Sequence, residues 1–105
     1  MLLYSDCIVL VPGDVSSTNI IKDEAGNPVI LFRGDYVRWV DTGGAAADVA
    51  NLVHSKGNPI FASVASVANF VDWQYVLDDA RDGFMLTALT HGTLYIFRSG
   101  GRPTI

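Results

Sequence analysis

Arg33-Gly34-Asp35 spells the cell-adhesion tripeptide, and Cys7, His54 and His91 are the residue types that supply a nucleophile and its base. Each group needs a setting before it can act. An adhesion tripeptide must protrude on a loop with turn-forming polar flanks. Here Leu31, Phe32, Tyr36 and Val37 flank it, and apolar residues with this periodicity are drawn toward a core. The expected reading is a strand break. Arg33 ends one strand, Gly34-Asp35 turns the chain, and Tyr36 opens the next. A nucleophilic thiol needs an oriented base. Cys7 alternates with Ser5 and Val9 as a strand residue would, so it is expected to act as a small hydrophobe. His91 fills a turn position, and His54 falls late in a helical pattern, where an imidazolium suits the dipole.

The carboxylates offer little more. Asp78 and Asp82-Gly83 fit three positions of a calcium loop, but Ala80 and Leu89 stand where ligands belong. A solvated turn is the expected state. Asp72 and Asp78 on one strand face would lie about 20 Å apart, too far for an acid–base pair. Asp35 or Asp41 pairing with either across a sheet cannot be read from sequence. "VPGDVSST" and "TGGAAAD" lack the lysine and the spaced glycines of phosphate loops. His54 and His91 make no helical metal pair, and a single cysteine precludes a thiolate-rich zinc site. No catalytic set, cofactor site or metal site is therefore expected.

The elements that would position these residues read as follows. Residues 2–11 are β-rich and end at Pro12-Gly13. Residues 19–23 and 28–33 read as a hairpin, followed by a strand over 36–40. Ala45, Val49, Leu52, Val53 and Lys56 fall at helical spacing, with Asp41 or Thr42 to cap the start and Gly57 the end. Asn58-Pro59 opens a second candidate helix, where Ser63, Ser66 and Asn69 form a narrow polar stripe; a strand is the alternative. Residues 71–78 alternate cleanly as a strand. Residues 84–90 and 93–99 flank His91-Gly92, which reads as a two-residue hairpin loop, and 100–105 form a tail. The pattern predicts an α+β fold: a small, mainly antiparallel sheet of six to seven strands, rolled or barrel-like, with one or two helices in mid-chain. Residues 1–105 make a single domain.

Composition narrows the function classes. Half the residues are hydrophobic and only 17% are charged, against ~25% in a typical soluble domain. Mean hydropathy is +0.30. Lys22 and Lys56 are the only lysines, and the net charge is −4, so neither nucleic acid nor an anionic membrane is an expected partner. Neither a signal peptide nor a membrane span is expected, which implies a cytoplasmic or virion location. The lone cysteine precludes an intrachain disulfide.

Large apolar groups on both faces of "VRWV" and "VDWQYV" suggest a sheet covered on its second side by another subunit. The leading expectation is a non-enzymatic structural or interaction subunit that self-associates or docks on a larger assembly, in character like a capsid decoration or head–tail joining protein. Val37, Trp39, Trp73, Tyr75 and Val76 are the expected contact residues. The alternatives are an acidic inhibitor, with Asp14, Asp23, Glu24, Asp78, Asp79 and Asp82 clustered on one face, and a small-ligand-binding or enzymatic domain in which His54 meets a carboxylate in a cavity.

Overall fold

A computed structural model describes residues 1–99; the expected tail lies outside the described residues. The chain forms β1 (Leu2–Leu3), β2 (Cys7–Leu10), β3 (Tyr36–Asp41), β4 (Val49–His54), β5 (Pro59–Val64), β6 (Phe70–Tyr75), β7 (Phe84–Leu89) and β8 (Thr93–Phe97), with one 3-10 turn at Pro12–Asp14. These eight strands make two antiparallel sheets, of order β1-β2-β8-β3-β6 and β5-β4-β7. No helix among the described residues is long and apolar enough to cross a membrane.

The α+β expectation is thus overturned: the described chain is all-β, and both mid-chain helices are strands. The cause is legible in β4. Its pairing shifts register between Asn51 and Leu52 against β7, and between Leu52 and Val53 against β5. The extra residue falls in each partner, Thr87 of β7 and Ile60 of β5, and kinks the ladders at this point. Leu52 and Val53 are both buried there, and with Val49 they mimic helical spacing. His54 ends a strand, not a helix. In the second segment, Ser63 belongs to β5, Ser66 to the turn, and Asn69 takes a positive φ of 56° just before β6. The three-residue period therefore runs from one strand into a turn. Pro59 begins β5, an edge strand, where its missing donor costs least.

The expected C-terminal hairpin is corrected as well. β7 pairs with β4, whereas β8 pairs with β2 and β3, so His91-Gly92 carries the chain from one sheet to the other. Gly92 is needed for close approach: a Cβ there would stand 2.4 Å from the Val40 carbonyl oxygen, and φ is +89°. The 19–33 hairpin is reduced to an isolated Lys22–Pro28 bridge. The stretch leading into it covers the free edge of β7, with Ser16 N–H donating to Leu86 O and Ile21 N–H to Phe84 O.

One core lies between the sheets. Ile8, Leu10, Val37, Trp39, Leu94 and Ile96 come from the larger sheet, and Leu52, Phe61, Phe84 and Leu86 from the smaller. Burying each such side chain fully is worth ~1.5–3 kcal/mol. Trp39 anchors the core by donating its indole N–H to the His91 carbonyl at 3.0 Å.

Candidate functional site

The strand expected to be most regular is inverted. In β6 the apolar alternate residues face away from the core: Val71 is 46% exposed, Trp73 51% and Tyr75 55%. Leu77, just beyond the strand, is 75% exposed. The polar residue between them turns in: Asp72 is half-buried, pairs across the ladder with the buried Trp39, and accepts a 2.7 Å hydrogen bond from the Ser63 hydroxyl of β5.

Register extends the outer face across the sheet. Tyr36 lies between Tyr75 and Phe97, Arg38 between Trp73 and Tyr95, and Val40 between Val71 and Thr93. Cys7 and Val9 of β2 continue it beside Phe97 and Tyr95. The rings touch. Tyr36 is 5.3 Å from Trp73, 5.6 Å from Tyr75 and 5.7 Å from Phe97, Trp73 and Tyr75 meet edge to face, and Tyr95 stacks on Phe97. Arg38, which is exposed, is the one charged residue among the described outward strand positions of this face. Burial and the neighbouring Asp6 charge push the Cys7 thiol up, which keeps it an unreactive thiol.

Of the expected contact residues, the structure brings Trp73 and Tyr75 together on this face. Val37, Trp39 and Val76 lie in the core and are not available to a partner in the folded chain. Tyr36, Tyr95 and Phe97, the rings that complete the face, were not among the expected contact residues; only the apolar doubling of the neighbouring "VRWV" and "VDWQYV" pointed toward them.

The adhesion tripeptide is buried at its acid. Asp35 is fully buried, with one carboxylate oxygen accepting from Phe32 N–H at 2.8 Å and Arg98 Nη1 at 3.0 Å, and the other from Ser99 N–H at 2.9 Å. Burial by itself would raise this carboxyl. The Phe32 and Ser99 amides and Arg98 outweigh it and hold the group below the ordinary aspartate value.

His54 lines an open cavity of about 310 Å³ with Lys56, Asp78, Asp79, Arg81 and Asp82. Asp79 is engaged there, accepting from Arg33 N–H at 2.7 Å and from Arg81. Among the described residues no side chain hydrogen-bonds the His54 ring, so nothing orients it as a base. Asp72 accepts from Ser63, while Asp78 lines the cavity beside His54. Asp41 instead meets His91 and Asp48, a grouping that no local spacing announced.

The chain matches no family model, no curated protein and no solved structure.

Proposed function

We propose that this protein is a non-enzymatic interaction subunit that joins a second copy of itself through the outer face of the five-stranded sheet. The observation that carries this reading is the inversion of β6. Exposing Val71, Trp73 and Tyr75 while turning Asp72 inward wastes burial unless something covers the face.

Three features favour a second copy lying face to face. The two cavities described, one at His54 and one at Leu2 and Asp23, are not lined by its aromatic cluster. Small ligands prefer concave sites, whereas sheets pack on sheets. The β6 edge is a poor place for strand pairing, because an inward-pointing charge such as Asp72 disfavours edge-to-edge growth. The energetics also suffice. A half-exposed aromatic ring removes ~75–125 Å² of surface on covering, worth roughly 2 kcal/mol. A twofold contact uses each ring twice. Trp73, Tyr75 and Phe97 then supply on the order of 10 kcal/mol before the half-buried rings are added, comparable to the ~4–15 kcal/mol lost on association. An arginine amid aromatics, as Arg38 is between Trp73 and Tyr95, matches the usual make-up of an interface centre.

The acidic-inhibitor alternative has weaker support, since its carboxylates are dispersed. Asp23 and Glu24 line one cavity and Asp78, Asp79 and Asp82 another, while Asp14 is held by the Met1 ammonium and Val11 N–H.

Light scattering after size exclusion tests the proposal. Wild type should elute with twice the 11.3 kDa chain mass. Trp73→Lys combined with Tyr75→Lys should elute as a monomer that still unfolds cooperatively in urea, at a midpoint independent of protein concentration, because both residues are half-exposed in the single chain. A wild-type monomer that stays soluble at high concentration and binds no exposed-hydrophobe dye would sink the proposal. So would a doubly substituted chain that still dimerises.

A further inference from the structure

Asp41 closes β3 with a side chain fully buried at the seam between the sheets. Its Oδ1 lies 2.7 Å from His91 Nδ1. Its Oδ2 is buried and has no hydrogen-bond partner. Asp48, just ahead of β4, reaches the same point, with Ala45 N–H donating to its Oδ2 at 2.9 Å and the Thr90 hydroxyl near its Oδ1 at 3.5 Å. One ligand atom from each of Asp41, Asp48 and His91 falls within 4.8 Å of the other two. The turn is shaped around this carboxylate. A Cβ on Gly44 would stand 2.2 Å from Asp41 Oδ1 and 2.6 Å from Oδ2, so only glycine lets the backbone lie there.

We infer that Asp41, Asp48 and His91 form a binding site for one divalent transition-metal ion of the Zn²⁺ or Mn²⁺ type. A buried carboxylate oxygen with no donor is costly, and a second carboxylate beside it adds repulsion. A cation answers both costs at once: it partners Oδ2 and neutralises the pair. Tetrahedral ligands about 2.05 Å from one ion stand ~3.3 Å apart, so the 2.7 Å hydrogen bond between Asp41 Oδ1 and His91 Nδ1 has to open by about 0.6 Å to admit the ion. The ligand set selects the metal. Two carboxylates and an imidazole suit zinc or manganese, whereas calcium and magnesium prefer oxygen alone. His91 is half-exposed, so solvent reaches the site and water completes the coordination. The site stands apart from self-association, for Asp41 points inward from β3 and its co-ligands lie on loops.

Titration calorimetry with Zn²⁺ on the chelator-treated full chain is the direct measurement, with Mn²⁺ followed by electron paramagnetic resonance as its complement. One ion per chain is expected, together with a rise in melting temperature on adding metal. Asp48→Asn and His91→Gln should each weaken binding by more than about 10- to 100-fold, the scale on which loss of a mere outer partner of a ligand is felt. Asp48→Asn keeps an oxygen for the Ala45 amide, so its metal-free melting temperature should hold. His91→Gln removes the hydrogen bond on buried Asp41 and should lower the melting temperature modestly, so its binding is measured well below its own melting transition. Cys7→Ser should bind as wild type does. Wild type that neither binds nor is stabilised by either ion overturns the inference. Equal binding by the Asp48→Asn/His91→Gln double variant also overturns it, by placing the ion elsewhere. A third contrary result is Asp48→Asn stabilising the metal-free chain with no metal uptake by wild type, which would mean that a shared proton holds the two carboxylates.

Discussion

Strand β3 is bounded by two fully buried carboxylates in opposite circumstances. Asp35, just before it, is surrounded by donors: two backbone amides and the buried Arg98 guanidinium, which also bonds the Ile30 carbonyl. Asp41, at its far end, has the His91 ring on one oxygen and nothing on the other. Both residues begin or end a turn, and both alternate with core residues of β3. The difference is what arrives from elsewhere in the chain. Arg98 and Ser99 follow β8 directly and lock Asp35, whereas the crossing from β7 to β8 brings only a half-exposed histidine to Asp41. A carboxylate whose bonds are complete is a structural tie. One left incomplete beside a second carboxylate is a place for a ligand.

The largest effect should come from breaking the complete site. Asp35→Ala strands the Arg98 charge in the interior, and urea melts should show a loss of ~3–5 kcal/mol. The same tie has a pH signature. Because the folded Asp35 carboxyl sits below its unfolded value of ~3.9, its stabilisation is full above that value and is lost as pH falls through the folded pKa. Acid melts should therefore show wild type losing stability below about pH 4, and Asp35→Asn should lack that part of the loss.

Gly92→Val comes next, at roughly 2–4 kcal/mol, since it combines a positive φ with a Cβ driven into the β3 backbone beside Asp41. An unchanged midpoint would remove the crossing that brings His91 to Asp41. Asp41→Asn in metal-free protein should cost less than its counterpart at Asp35, about 1–2 kcal/mol, because only one side-chain hydrogen bond is at stake. If the two asparagine variants prove equally damaging, the contrast between the two sites fails. Ala47→Gly should change least. Ala47 holds a φ of 73°, so glycine relieves strain of ~1–2 kcal/mol while adding unfolded-state freedom, and the net should stay within about 1 kcal/mol. A large loss would mean that the Ala47 methyl itself positions Asp48.

Much of the larger sheet was legible in the residues. The turn at Gly34-Asp35, the strand from Tyr36, the alternation of 71–75 and the strands on either side of His91-Gly92 all show a period of two that needs no tertiary context. The apolar doubling of Tyr36, Val37, Trp39 and Val40 likewise announced a sheet with two apolar faces. What misled were β4 and β5. Leu52 and Val53 are both buried where the ladders shift register, which breaks the alternation of β4, and a serine–asparagine stripe running from β5 into a turn imitates a helix face. Local spacing carries no record of which neighbour a strand will pair with.

The chain's own residues determined its acidic balance and the period-two strands early and late in the sequence. The sheet partners were decided only in three dimensions. Side-chain alternation says that a strand has two faces, not which one meets the core; that depended on Trp39, which claimed the interior side of β3 and set Asp72 opposite it and Trp73 outward. Nor can spacing foretell a cluster whose members stand 50 positions apart, as Asp41 and His91 do. Their meeting rests on β7 and β8 parting to different sheets, a choice made by the burial of Leu86 in one and Leu94 in the other, with Gly92 supplying the room to cross.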